Sequence, residues 1–212
     1  MLQEKTVEPR TLALLKKLMN DKQLNQFALA WGTNLALRYG YRISIDLDFF
    51  SDHWFDGTVL AEYISENYDH VIIRRAEENA LICLIEDIKV DFITQKNINL
   101  CPRDEIQWVR LYSVPDICAM KFAAIQGRWV KKDYRDIAHL FAYYNFTQMC
   151  NFFSRRYPRV DVWVIYILIL SFSEIKKDPS EIIPLDTITR PKVKKIIKQA
   201  VEEHVERKRR WE

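Results

Sequence analysis

Apolar residues in the first half of the chain follow two different spacings, one helical and one extended. From Thr11 to Met19 they recur at helical spacing, which predicts a helix. From Ile43 to Phe50 apolar and polar residues alternate, and one face carries Ile43, Ile45, Leu47 and Phe49. Because successive side chains of a strand point to opposite sides, this alternation predicts a strand with one buried face.

The segment between these two elements contains a short apolar stretch, Phe27 to Ala30, which stops at Gly32. We interpret it as a strand followed by a helix that Thr33 caps and Gly40 closes. Backbone N–H groups at the start of a helix can hold a phosphate, although an ordinary strand-to-helix turn explains the same residues. Taken alone, the turn favours the ordinary interpretation.

The rest of the chain separates strand-like segments from helical ones. A helix is predicted over Leu60 to Tyr68, and the following apolar runs predict strands at His70–Arg74, Leu81–Ile85 and Lys89–Thr94. From Val114 onward the spacing is helical, with a first helix ending near Gly127 and a second beginning near Lys132. Everything after Phe146 also reads as helix, apart from a loop predicted at Lys176–Pro184.

This order of elements predicts an α+β chain made of two parts. Residues 1–112 are expected to form the α/β core, and residues 113–212 a helical C-terminal region. A chain of 212 residues can bury one sizeable core or a small domain with a helical annex.

Composition narrows the class of protein without indicating an activity. Hydrophobic residues make up 49% of the chain and charged residues 29%, which excludes a disordered protein. A net charge of +3 does not identify a nucleic-acid-binding protein by itself. The four cysteines include no CxxC pair, so we expect free thiols and no zinc site. No apolar signal segment or membrane-length run is found, which predicts a cytoplasmic protein.

Asp46 and Asp48 are the candidate metal ligands. They lie two residues apart on a predicted strand, so both side chains leave the same face. Such close carboxylates stay ionised together when a cation offsets their repulsion, and Mg²⁺ does so with oxygen ligands and substrate phosphates. Asp91, on the apolar strand around Val90, is a candidate third ligand for two-metal phosphoryl transfer. An edge strand with an acidic outer face is the alternative interpretation.

Two longer motifs resemble those of a known family. The stretch from Ala30 to Phe50, AWGTNLALRYGYRISIDLDFF, resembles the signature of the AbiEii-type nucleotidyltransferase toxins, roughly GGTALxLxxGHRxSxDLDFF. Asp116 to Leu140, with MK, GR and KDYRD inside it, resembles the second signature of that family. Trp31 stands where the family has its first glycine, and Tyr41 replaces the usual histidine.

The resemblance implies a polymerase-β-like nucleotidyltransferase core, a mixed sheet with flanking helices, followed by a helical C-terminal half. It implies transfer of a nucleotide from an NTP with Mg²⁺ or Mn²⁺ as the metal. The acceptor would be RNA, most specifically tRNA, and the chain would act as a toxin whose antitoxin carries a winged-helix domain.

The same resemblance assigns roles to individual residues of this sequence. Gly32 and Thr33 would line the triphosphate site, and Ser44 would support it. Asp46 and Asp48 would bind the metal. Lys121 would contact a phosphate, although a lysine in an apolar helix more commonly extends to solvent. Asp133 would be the acid of the second signature, acting as a base or as a substrate-orienting group.

Two further points stay open in the sequence. Trp31 is compatible with a non-catalytic binding or regulatory module whose triphosphate loop the indole closes. Basic segments with interleaved aromatic residues are candidate RNA contacts, although for each segment alone a solvated helix surface is the favoured interpretation; they are residues 127–132, 155–159 and 207–211.

Overall fold

The computed structural model describes residues 1–128, 130–172 and 183–209. The chain divides into two compact units, Met1–Ser113 and Val114–Glu212. The strands of the described residues all lie in the first unit, and the second unit is helical. The predicted α+β class, with a mixed sheet followed by helices, is confirmed.

A single seven-stranded sheet organises the first unit, in the order β3-β4-β5-β2-β1-β7-β6. Its strands are β1 (Ala28–Leu29), β2 (Leu47–Ser51), β3 (Val71–Glu77), β4 (Ala80–Ile85), β5 (Ile88–Thr94), β6 (Asp104–Ile106) and β7 (Val109–Leu111). The pairs β2–β5 and β1–β7 are parallel, and the other neighbours are antiparallel. The short strands β6 and β7 were not predicted, because three residues are too few to show an alternating pattern.

β2 lies at the centre of the sheet, which corrects two predictions. The strand begins at Leu47, so Ile45 falls outside it and is 52% exposed. Both faces of β2 are covered, since Phe49 and Phe50 are both buried. The edge-strand alternative is therefore wrong. Apolar side chains of β2 are buried on both faces of the sheet and so hold the strand that carries Asp48 in place.

Three α-helices complete the first unit: α1 (Pro9–Asn20), α2 (Trp31–Tyr39) and α3 (Gly57–Asn67). The N-cap of α2 is Ala30, so the prediction that Thr33 caps this helix is wrong. Thr33 lies inside the first turn, where its hydroxyl is available for tertiary contacts. Gly40 ends the helix with a left-handed φ of 74°, as predicted.

Gly57, at the start of α3, lies so close to the β3–β4 hairpin that no side chain fits. A Cβ at this position would come within 2.2 Å of the carbonyl oxygens of both Glu77 and Ala80. Gly57→Ala should therefore shift the backbone and lower the free energy of unfolding by about 1–3 kcal/mol in urea denaturation. Gly127→Ala is the matched control, because a Cβ there meets nothing within 4 Å. Equal stability of the two variants would contradict this packing.

The second unit contains five described helices: α4 (Val114–Gly127), α5 (Lys131–Leu140), α6 (Phe146–Arg156), α7 (Trp163–Ile169) and α8 (Arg190–Arg209). The helical prediction after Phe146 is interrupted after α6, where Pro158 cannot continue a helix. Most of the loop predicted at Lys176–Pro184 lies outside the described residues. None of the helices in the described ranges combines the length and apolarity that crossing a membrane requires.

Candidate functional site

Asp48 and Asp91 occupy paired positions on neighbouring strands. β2 and β5 run parallel, and their register places Asp48 beside Asp91. Side chains at paired positions of adjacent strands leave the same face, with backbones about 4.8 Å apart. Asp46 directly precedes β2, two residues before Asp48. The chain order of the first unit thus brings the three predicted acids to one region of the sheet.

The ammonium group of Lys89 lies among these acids. Its Nζ is 2.6 Å from Asp91 Oδ2, on the same strand two positions away. Burial by itself would lower the pKa of Lys89, but the hydrogen bond to Asp91 and the charges of Asp48, Asp91 and Asp46 raise it. One side-chain cation therefore interacts with all three carboxylates and offsets part of their mutual repulsion.

The donor atoms of this region suit a divalent cation. Asp91 is 7% exposed, and its Oδ1 is a buried oxygen without a hydrogen-bond partner among the described residues. An orphaned carboxylate oxygen beside a second carboxylate is the donor type that Mg²⁺ prefers. Within the described ranges, however, no three His, Cys, Asp or Glu side chains are already grouped as a metal site. Metal binding by Asp46, Asp48 and Asp91 stays a prediction.

Thr33 and Ser44 connect the first turn of α2 to the segment that leads into β2. Their hydroxyl oxygens are 2.8 Å apart, and both side chains are buried. The Thr33 hydroxyl also donates to the backbone carbonyl of Asp46. Because a hydroxyl has one proton, Thr33 then accepts from Ser44. These bonds hold the backbone of Asp46 against α2, so Thr33 and Ser44 position the acidic segment.

Gly32 borders a buried guanidinium group. A Cβ on Gly32 would lie 2.1 Å from Arg42 Nη2 and 3.5 Å from Ser44 Oγ. Arg42 is 5% exposed, and its Nη1 donates to the carbonyl of Ile43 at 3.1 Å. Any side chain at position 32 would displace this guanidinium, so the glycine allows Arg42 to lie directly against the first turn of α2. The residues assigned to the triphosphate by resemblance thus adjoin a cation suited to phosphate.

Trp31 occupies the first helical position of α2 with a φ of 53°, in the left-handed region that favours glycine. Its indole packs edge-to-face against Phe50 of β2, with the ring centroids 6.0 Å apart. The backbone here therefore has the conformation that a glycine would adopt, although the residue is a tryptophan. The contact with Phe50 helps to stabilise this strained conformation.

In the second unit, Lys121 is part of a buried ionic cluster. Its Nζ lies 2.7 Å from Asp133 Oδ1 and 2.6 Å from Asp136 Oδ2, and all three side chains are almost fully buried. Arg128 Nε donates to the other oxygen of Asp133 at 2.8 Å. Lys121 therefore does not extend to solvent, because its ammonium group lies between two buried carboxylates. Asp133 orients two cations, of which Arg128 is partly exposed.

Burial also changes the interpretation of the basic segments. Arg156 is buried and forms an ion pair with Asp116, linking α6 to α4, so it is not part of a solvated basic segment. Arg155 and Arg159 remain exposed. Trp129 and residues 210–211, which belong to the other two basic segments, lie outside the described residues.

Two cationic side chains of the first unit, Lys89 and Arg42, were not predicted to lie at the site. Lys89 could have been found from its spacing, because it lies two positions from Asp91 on the same strand and so shares its face. Arg42 belongs to the quoted signature, but nothing in its local pattern indicates that its guanidinium packs on Gly32.

Comparisons with known proteins agree with this fold and these motifs. The profile of the family described as "Nucleotidyl transferase AbiEii toxin, Type IV TA system" matches residues 13–209. The uncharacterized protein aq_aa25 of Aquifex aeolicus (strain VF5) is 27% identical over 173 residues, which cover 79% of this chain and 84% of that protein.

Two solved structures share the fold at low sequence identity. JHP933 from Helicobacter pylori superposes with a TM-score of 0.52 at 15% identity, covering 97% of both chains. MenT4, the nucleotidyltransferase toxin Rv2826c from Mycobacterium tuberculosis H37Rv, gives a TM-score of 0.55 at 12% identity, covering 92% of this chain and 84% of its own. Because the family profile spans most of the sequence, the chain belongs to the AbiEii family of type IV toxin–antitoxin systems and is a nucleotidyltransferase.

Proposed function

We propose that this chain transfers a nucleotide from an NTP to an RNA acceptor, most specifically tRNA, in a reaction that requires Mg²⁺ or Mn²⁺. The observation that carries the proposal is the pairing of Asp48 with Asp91 on adjacent parallel strands, next to Asp46. Clustered carboxylates on a rigid central strand are suited to a cation that also binds substrate phosphates.

The proposed reaction is an in-line displacement at the α-phosphorus. An acceptor hydroxyl oxygen forms a bond to the α-phosphorus and its proton passes to water. The bond from the α-phosphorus to the oxygen that bridges to the β-phosphate breaks, and pyrophosphate leaves with that electron pair. A divalent cation held by Asp46 and Asp48 would supply charge neutralisation for the phosphates. Thr33 and Ser44 hold the acidic segment in place, and Arg42 supplies positive charge beside Gly32.

The second unit contributes the residues of the second signature in this proposal. Asp133 acts as an orienting group, because both of its oxygens accept bonds from Lys121 and Arg128. Arg128 is its partly exposed partner, and its guanidinium is a group suited to binding phosphate. Membership of a type IV toxin–antitoxin family supports an antitoxin protein as the partner that restrains the activity.

Labelled transfer tests this function directly. The purified chain is incubated with each α-³²P-labelled NTP, Mg²⁺ and total tRNA, and the products are separated on a denaturing gel. We expect label on RNA with at least one NTP, and no label when EDTA replaces Mg²⁺. Absence of label with all four NTPs would contradict the proposal. Label on the protein alone would show that the chain itself, and not RNA, is the acceptor.

Trp31→Gly tests the alternative that the indole closes the triphosphate loop. Since the ring packs on Phe50, we expect the variant to bind NTP with Mg²⁺ within about threefold of the unchanged protein, a difference below 1 kcal/mol. Relief of the positive φ and loss of the ring contact act in opposite directions on stability, at about 1 kcal/mol each. The measurement is thermal shift across an NTP titration. NTP binding that appears only in Trp31→Gly would support the non-catalytic module.

A further inference from the structure

The first half of α8 carries four lysines, here called the α8 lysine cluster: Lys192, Lys194, Lys195 and Lys198. Lys192, Lys195 and Lys198 are exposed, and Lys194 is half-buried. In the part of the chain that the structure describes, none of the four lies within ion-pair distance of a carboxylate. The cluster is not one of the basic segments that the sequence singled out.

The arrangement is unfavourable for the chain by itself. Lys194 and Lys198 are four positions apart, and Lys195 lies three positions from both Lys192 and Lys198. Like charges at these spacings repel each other on a helix surface. The first turn of α8 also contains no acidic residue, so its cations lie near the positive end of the helix dipole. An anionic partner would relieve both of these effects.

The other end of the same helix is different, because two of its cations contact other side chains of the second unit. Arg207 lies 3.9 Å from Glu203, and Lys208 lies 5.3 Å from the ring centre of Trp163 and 5.9 Å from that of Tyr166. The apolar stripe of α8 packs inward through Val193, Ile197 and Val201. Lys192, Lys195 and Lys198 of the α8 lysine cluster lie outside this stripe and are exposed, so their charge is accessible to a partner.

The surface beside these lysines is a groove of about 550 Å³. Lys194, Lys195 and Lys198 line it together with Phe172, whose ring lies 5.4 Å from Lys194 Nζ. Phe172 is buried, and among the charged side chains that line the groove three lysines outnumber one carboxylate, that of Glu202. Lysine is a compact point charge for phosphate and is depleted from protein–protein interfaces. The composition therefore favours a phosphate backbone over an acidic protein.

We infer that the α8 lysine cluster binds the sugar-phosphate backbone of the RNA acceptor without reading its sequence. From Lys192 to Lys198 the helix rises by about 9 Å, a length over which a nucleic-acid strand presents several phosphates. The inference rests on the proposed function, since it locates where the RNA of that reaction is held. It assigns no catalytic role to the lysines.

RNA binding measured without catalysis tests the inference. Fluorescently labelled total tRNA is titrated with the full chain in EDTA, without NTP, over a range of salt concentrations. The variant Lys192→Gln, Lys194→Gln, Lys195→Gln, Lys198→Gln is expected to bind at least about tenfold more weakly at 0.1 M salt and to reduce the slope of log K against log salt by about 3. The control removes four exposed charges elsewhere, with Lys5→Gln, Lys22→Gln, Arg74→Gln and Lys96→Gln, and should change affinity by less than about threefold.

Each result has one meaning. Equal losses in the two quadruple variants would overturn the inference, because only overall charge would matter. Unchanged tRNA binding combined with weaker binding of poly-glutamate would also overturn it, and would identify an acidic polypeptide as the ligand. Circular dichroism establishes that both variants are folded. Lysine-dependent tRNA binding without any nucleotide transfer would contradict the proposed function but leave this inference standing.

Discussion

Asp48→Asn is expected to reduce nucleotide transfer by at least about 10³-fold, because the developing charge on the phosphates loses several kcal/mol of metal-dependent stabilisation. The fold should survive. Asparagine has the same shape, and the variant removes one of the acids that crowd around Lys89. Transfer of label from α-³²P NTP to tRNA is the measurement, with melting temperature recorded on the same samples.

Asp69→Asn is the matched control for this variant. Asp69 is exposed, and its replacement by asparagine causes the same change of charge and shape outside the site. It should transfer nucleotide at the rate of the unchanged protein. Full activity of Asp48→Asn would contradict a role for Asp48 of β2 in nucleotide transfer. Loss of activity in both variants would indicate an effect of net charge alone.

Lys121→Met is expected to lower the free energy of unfolding by about 3–5 kcal/mol, since it leaves the buried carboxylates of Asp133 and Asp136 without their shared cation. Urea denaturation followed by circular dichroism measures the loss. A lysine whose only task were to contact a phosphate would leave the stability of the substrate-free protein nearly unchanged. The experiment therefore separates an internal ion-pair role from the phosphate contact that the family resemblance implies.

Two companion variants make this result specific. Lys131→Met, at the start of α5, has no ion-pair partner among the described residues and should change stability by less than about 0.5 kcal/mol. The double variant Lys121→Met, Asp136→Asn should recover part of the lost stability, because one of the two carboxylates that no longer contact Lys121 becomes neutral. A stable Lys121→Met protein with weakened NTP binding would instead support the phosphate contact.

Local patterns in the sequence were sufficient for most of the elements and for the class of fold. Strict alternation around Asp46 and Asp48 identified β2, although its length and exposure were misjudged. Alternation reports only that one face is apolar, whereas the position of a strand within the sheet is decided by pairing with distant segments. β2 turned out to be central because β1 and β5 flank it, and this pairing also set Asp48 beside Asp91.

The same difference between what local patterns predict and what tertiary packing decides applies to single charged residues. The second signature contains both Asp133 and Asp136, but only tertiary packing showed that Lys121 lies between them and that all three are buried. Arg156 lies in a basic segment that is typical of a solvated surface. Its ion pair with Asp116, which is 40 positions away, cannot be predicted from the neighbouring residues. Ion pairs between distant residues depend on which helices pack together, and local periodicity does not encode that choice.

The sequence by itself determined the family, the acidic motif of β2 and the change from strands to helices near residue 113. These depend on residue identity and short-range spacing. Only the tertiary structure decided which cations are buried and which face solvent. Arg42 and Lys121 are buried, Lys89 is exposed but pairs with the buried Asp91, and the α8 lysine cluster is exposed except for the half-buried Lys194. The physical reason is that the state of a charge depends on its burial and on its nearest opposite charge, and both are set by long-range packing.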